Sequence, residues 1–456
     1  MAIATINRMI LWFHEAFRAL SAKVPMVEVE QLAMLVHHSM DSKTRAFHTT
    51  RHVFAIGEGM KPLQVLAAIF HDVVYYQLDD GFPARLATLL EGVTRKEGAV
   101  LILQPIDADD RATALCAEIF GFTPGQILPL HCGMNEFLSA VAAARLLQRH
   151  LTTPQLIAVL ACIEATIPFR PRDAQGRTAA EVLAQRVHAC ATKRQNEPQL
   201  GALEVASFVK SVVTDAVTLA NRDVAGFTEA DPGSCLSNTW LLIEESNAPL
   251  AAVGVYSLQE YRSALLRMDV FLRNLSPTLV CQSYDGFPDA TVLAKMEAVA
   301  GRNIAFSSDF LGAKLASIAI IEALAMCTGT DCPIAMLLGG ISSADGRPER
   351  VEDFLPEPPS EQATNAQLLA VLEKGCSLES VNDLTASKLT AFVYRYLGEA
   401  GARSTLEQAK KMFEGTLSPR AFLTDLNRDM VRAIIRACAK ISLSRREALT
   451  SLESSF

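Results

Sequence analysis

Leu63–Tyr76 reads LQVLAAIFHDVVYY, thirteen uncharged residues around one carboxylate, Asp72, with His71 beside it. An aspartate in an oily run is costly unless something compensates it, because a carboxylate stripped of water loses far more than a neutral residue does. Pro62 sits just ahead and suits the first turn of a helix. Gly57 and Gly59 end a preceding helix that begins near His48. On that helix His48 and His52 stand at i, i+4, one above the other. Eighteen residues separate His52 from His71, enough for a helix, a turn and a second, antiparallel helix. That arrangement brings His52 level with His71 and Asp72. Two imidazoles and a carboxylate converging in an apolar setting make a divalent-metal site, and the metal answers the burial problem.

A further ligand is expected from another helix. In EVASFVKSVVTDAVTLANRDV, the residues Phe208, Val212, Ala216, Leu219 and Asp223 follow one helical face. Asp223 is thus in phase with a core stripe. Asp215 competes for the role, turned roughly 80° away by the 3.6-residue period.

Composition narrows the class. The chain has 456 residues, half of them hydrophobic and 20% charged, which describes a globular protein. A formal net charge of −8 argues against a nucleic-acid polymer as partner, since that needs basic surface to replace counterions. It leaves room for a small anionic substrate. The ten cysteines are scattered without a C-x-x-C pair, so they read as reduced thiols in a cytoplasmic protein. Cys327-x4-Cys332 reads as two buried thiols. At the N-terminus Ile6, Met9, Ile10, Phe13, Phe17 and Leu20 repeat at helical spacing, an amphipathic helix rather than a signal peptide. The most apolar region, Leu315–Ile341, carries Glu322 and Asp331 and is broken by TGTDCP; it reads as a buried helix pair, with no membrane span.

Helical periodicity dominates, so the expectation is a nearly all-α protein, with VLILQPI (Val100–Ile106) as the best strand candidate. Residues 1–302 form one helical domain, interrupted at about 79–133 by short helices and turns that look like an insertion or lid. Residues 303–456 form a C-terminal helical region with a Pro-rich loop at 342–365.

His52, then His71-Asp72, then a distant aspartate on a later helix resembles the H…HD…D signature of the HD-domain superfamily of metal-dependent phosphohydrolases. The likeness is to a branch of small HD hydrolases in which HD is followed by a Val/Tyr pair and then by an Asn-Glu helix opening. Here these are His71-Asp72-Val73-Val74-Tyr75 and Asn135-Glu136-Phe137-Leu138-Ser139-Ala140. NRDVAGF supplies the final aspartate as Asp223, and Tyr261–Leu275 resembles the closing helices. The resemblance covers about residues 30–300. It implies an HD-type helical bundle whose ligands are His52, His71, Asp72 and Asp223 around one divalent ion, with Mn, Mg, Fe, Co, Ni and Zn not distinguished. It implies hydrolysis of a phosphate mono- or diester, a nucleotide among the candidates, by metal-activated water. Glu136 would orient or deprotonate that water, and Arg45 or Arg51 would grip the phosphate.

Two features depart from the branch. One is the insertion of about fifty residues. The other is ATIPFRP, where the branch often has Thr followed shortly by His; Thr166 here is followed by Pro168. Dinuclear relatives need extra histidines, and only His131 is on offer, so one metal is expected.

Plainer readings stand beside these. His48 can be a packing histidine, Asn135 an N-cap, Glu136 a first-turn acid complementing the helix dipole, and Arg45 and Arg51 solvated charges. His131 beside Cys132 is weak evidence for a metal pair. Glu164 either faces the metal cavity or caps its helix. The alternative function is a catalytically inactive HD-fold signalling or scaffold protein that binds a nucleotide or protein partner. A third is an oxygenase with two irons. Homo-oligomerisation is left open.

Overall fold

Local chemistry sets many of the helix ends. The computed structural model describes residues 3–130, 132–251, 254–340, 349–358, 364–376 and 387–456. Helices dominate, and one two-stranded sheet is present among the described residues. The all-α expectation holds.

The chain divides into two compact units, the first comprising Met1–Thr228 and Ser276–Ala300. It opens with α1 (Thr5–Ala19), which buries Met9, Phe13 and Phe17, and α2 (Met26–Met40). The next helix, α3 (Thr50–Gly57), ends where a Cβ at Gly57 would run into the Trp12 ring. In α4 (Pro62–Phe70) the proline stands at the first turn, as expected. A short α5 (Ala84–Ala87) leads to the hairpin of β1 (Thr94–Glu97) and β2 (Val100–Leu103), paired antiparallel with Thr94 opposite Leu103. The strand expected at Val100 is therefore present. Asp110 caps α6 (Arg111–Phe120) by accepting from the Thr113 N–H, and left-handed Gly121 ends it. Then come α7 (Met134–Leu147), α8 (Thr153–Ala165), α9 (Ala179–Lys193), α10 (Pro198–Gly201) and α11 (Val205–Asp223).

The centre of this unit is α8. It is buried on every side from Leu156 to Ala165, which fits a helix with almost no polar face. The helices α4, α6, α7, α9 and α11 surround it.

The second unit comprises Glu229–Leu275 and Gly301–Phe456. It contains α12 (Pro232–Glu245), α13 (Leu258–Asn274) and most of α14 (Ala290–Thr328). Five shorter stretches and one long helix follow: α15 (Ala335–Leu338), α16 (Ala366–Lys374), α17 (Lys388–Phe413, broken at Gly398), α18 (Pro419–Thr424), α19 (Arg428–Ile441) and α20 (Arg446–Glu453). In its interior the Lys314 ammonium donates to Ser387 Oγ at 2.7 Å and lies 4.8 Å from the Trp240 ring.

Several expectations are revised. Residues 229–275 cluster with the C-terminal part of the chain, so a single cut at 302 does not describe the units. Of the apolar stretch at 315–341, residues 315–340 are the end of one long helix followed by the one-turn α15, and 341 lies outside the described residues. Although α14 is long and apolar enough to cross a membrane, its most apolar window is mostly buried within the protein. Of the Pro-rich loop at 342–365, residues 342–348 and 359–363 lie outside the described residues, as does His131.

Candidate metal centre

The site is built on helix ends. His71 is the residue after α4, still with helical dihedrals, and its Nδ1 lies 2.8 Å from the Ala68 carbonyl oxygen. A carbonyl only accepts, so Nδ1 carries the proton and donates. That fixes the ring and turns Nε2 toward the carboxylates. Nε2 lies 2.7 Å from Asp72 Oδ2 and 3.5 Å from Asp223 Oδ1, yet it is buried with no hydrogen-bond partner of acceptable geometry. An imidazole nitrogen facing two carboxylates needs a positive charge between them, a metal ion or, in its place, a proton.

His52, on the first turn of α3, completes the group. Its Nε2 is 2.9 Å from Asp223 Oδ1 and 3.8 Å from Asp72 Oδ2, and its ring centre is 5.5 Å from that of His71. Ligand atoms of His52, His71 and Asp72 lie within 4.8 Å of one another and can hold a metal ion. Asp223 reaches both histidines from the last residue of α11. Asp215 does not: it pairs with Lys61 Nζ at 2.6 Å.

The main chain adds to the demand for positive charge. Both α4 and α11 point their C-terminal ends at the site, where unpaired carbonyls carry negative partial charge and favour a cation. Two carboxylates at the same place deepen that potential. Mixed imidazole and carboxylate donors suit a first-row divalent ion, and a ligand histidine commonly donates its other N–H to a backbone carbonyl, as His71 does. The orphaned Nε2, the donor set and the helix ends all fit a metal.

Protonation states follow from the same contacts. Burial alone would raise both carboxylates, but the neighbouring imidazoles outweigh it. Asp72 is held well below the usual carboxylate range and Asp223 down to about 2. Burial disfavours charge on His71, yet Asp72 and Asp223 raise its pKa well above the ordinary imidazole value. Glu136, half-buried in the first turn of α7, is pushed up to about 7 by burial and by the charges of Asp72 and Asp223.

The segment after Asp72 is clamped from two sides. On α7, Asn135 Oδ1 accepts the Tyr76 N–H at 3.0 Å and Ser139 Oγ accepts the Val74 N–H at 3.0 Å. One helical turn separates the two acceptors, about 6 Å of rise, and two extended residues separate the two donors by nearly the same distance. Asn135 is therefore not the N-cap; Gly133 holds that position. The resemblance pointed to the block, but without structure nothing assigned it this task. From the other side Arg45 donates to the Asp72 carbonyl at 2.7 Å and forks onto Asp79 at 2.6 and 3.1 Å.

This corrects the role expected for Arg45. Its side chain is fully buried and committed to Asp79 and main-chain carbonyls, so it has no fork left for a phosphate. Asp79 was not foreseen, and no sequence signal marks it. Arg51 occupies an exposed position on α3. His48 precedes α3, which starts at Thr50, so it does not share a helix with His52; its ring still packs edge-on 5.9 Å from that of His52, and 4.7 Å from Tyr75. Glu164 neither faces the centre nor caps its helix: Arg170 at 2.6 Å and Arg186 at 3.2 Å hold it. Thr166 donates to the Ile163 carbonyl.

No family model, curated protein or solved structure matches this chain.

Proposed function

We propose that the protein is a metal-dependent phosphohydrolase that holds one divalent ion with His52, His71, Asp72 and Asp223 and acts on a phosphate mono- or diester, a nucleotide among the candidates. The observation that carries this reading is the buried His71 Nε2 aimed at the Asp72 and Asp223 carboxylates, with His52 beside them. Bound there, such an ion polarises a phosphoryl oxygen and lowers the pKa of water towards 7. The protein's own groups do the rest. His71 is locked by Ala68, so its Nε2 is pre-aimed. Asp72 and Asp223 stay ionised across the physiological range and supply the compensating charge. Glu136, whose carboxyl burial and the Asp72 and Asp223 charges raise to about 7 in the metal-free protein, is the candidate to take a proton from an attacking water. Arg51, at an exposed position on α3, is the candidate for the phosphate. A cytoplasmic location, with the ten cysteines as free thiols, belongs to the same proposal.

The test joins metal analysis to a panel of nucleotides and simple phosphate esters. Expected are about one transition-metal ion per chain and metal-stimulated phosphate release. His71→Ala should lose both. Glu136→Gln should keep the metal and turn over about 10²–10⁴-fold more slowly. Protein without a transition metal, with phosphate release unchanged in His71→Ala, would sink the proposal. Metal without turnover on any ester would leave a binding module.

A further inference from the structure

We propose that the second unit carries a docking surface for an anionic lipid bilayer, formed by the turn between α19 and α20 and the cations around it. In a chain of net charge −8, Lys388–Phe456 holds twelve Lys and Arg against seven Asp and Glu. Much of that excess lies on α19, where Arg428, Arg432, Arg436 and Lys440 recur one helical turn apart. They form a stripe on the side away from Val431, Ile434 and Cys438, which are buried. Arg436 pairs with Glu453 at 2.6 Å. Among the described residues, Arg428, Arg432, Lys440, Arg445 and Arg446 have no carboxylate within ion-pair distance.

Helix ends fix where the charges at the turn stand. Arg445 donates to the Ala325 and Thr330 carbonyls, each at 2.9 Å, and Arg446 donates to the Ala439 carbonyl at 2.9 Å. Ala325 and Ala439 belong to the last turns of α14 and α19, whose carbonyls lack partners within the helix and attract cations. Between these arginines and Lys440 stands Leu443, the most open large apolar side chain among the described residues, at 75% exposure. Where Arg445 ties the turn to the end of α14, Met326 is exposed as well. Glu447 and Asp331 are the carboxylates next in sequence to these groups; against Lys440, Arg445 and Arg446 they leave the turn positive.

An apolar tip among cations selects its partner by chemistry. Leucine gains free energy on leaving water for hydrocarbon, and lysine and arginine gain it beside anionic headgroups. A soluble polyanion would engage the cations and leave Leu443 in water. An apolar pocket would take Leu443 and leave the cations without counter-charge. The interface of an anionic bilayer offers both at one depth, and reversible interfacial binding commonly joins one apolar signal to one basic signal. The net charge of −8 does not cancel the patch, because at physiological salt a charge more than about 8 Å away is largely screened.

The experiment is co-sedimentation of the full-length protein with vesicles of phosphatidylcholine alone and of phosphatidylcholine mixed with phosphatidylserine, at low and at high salt. Expected is binding to the mixed vesicles, little to phosphatidylcholine alone, and loss of binding as salt rises. Lys440→Glu should weaken it about tenfold or more, since the substitution moves two charges at the surface. Leu443→Ser should weaken it about tenfold by removing the apolar contact without touching a charge. Both positions are exposed, so circular dichroism and metal content should stay as in the parent protein. The proposal is overturned if the mixed vesicles leave the protein in solution, if phosphatidylcholine alone binds it equally well, or if Lys440→Glu has no effect. Unchanged binding of Leu443→Ser also overturns it, because the cations would then be taking any polyanion, as polyglutamate in place of vesicles would show. The readout uses no turnover, so its outcome is independent of whether the metal centre is hydrolytic.

Discussion

Arg45 shows how much one side chain's surroundings decide. In the sequence it is a cation close to FHTTRH, and a phosphate grip is a natural role. In the fold it is a buried strut between Asp79 and the Asp72 carbonyl. The two readings predict different losses. Arg45→Ala leaves the Asp79 carboxylate buried without its partner, which costs about 3–5 kcal/mol. Chemical denaturation of the variant should show that loss. A substrate-binding role would instead raise KM and leave stability unchanged. Asp223 and Asp215 make the complementary case. The helical phase favoured Asp223, and the structure sets it against both histidines while Lys61 holds Asp215.

At the scale of elements, α7 works as a clamp on the chain that leaves α4. Ser139→Ala leaves the buried Val74 N–H without its acceptor, a loss of about 1–3 kcal/mol. Because that segment aims His71 and Asp72, metal affinity should fall about 10–100-fold, in line with other changes that touch only the supports of metal ligands. Titration with a chelator as competitor measures it; unchanged affinity would mean that the clamp does not orient the ligands. The start of α6 offers a pH test. Burial works against the charge of Asp110, but Arg145 and the Thr113 N–H outweigh it and lower its pKa. A carboxyl with its folded pKa below the unfolded value of about 4 contributes stability that is fully present above that pH. The contribution is lost as pH falls through the folded pKa. Asp110→Asn keeps a cap acceptor and removes the ion pair, so it should cost roughly 1 kcal/mol at neutral pH. The gap should close below about pH 4, as read by denaturation at both ends. A constant gap would place the effect in the cap rather than in the charge.

For the whole molecule, metal binding and folding are linked. A ligand that binds only the native state, at a hundredfold above its dissociation constant, adds about 2.7 kcal/mol. Hydrogen exchange should therefore slow on adding metal at the end of α4, in α3 and in the last turns of α11. Amides of the second unit, α15 to α20 among them, should be unaffected. Equal protection in both units would disconnect the metal from His71 and its neighbours.

The legible part of the sequence is local. An oily helix ending in His-Asp, the proline that opens it and the stripe on α1 depend on residues a few positions apart, within reach of helical geometry. The same locality fixed the all-α class and put Asp223 on the inward face of its helix. Tertiary structure decided what depends on distance in space. It gave Arg45 to Asp79, set Asn135 and Ser139 opposite the backbone after Asp72, and drew Glu229–Leu275 to the C-terminal unit. Periodicity tells which way a side chain faces and not what it meets. The meeting partner, and with it the charge state and the role, is settled only when helices far apart in the chain pack together.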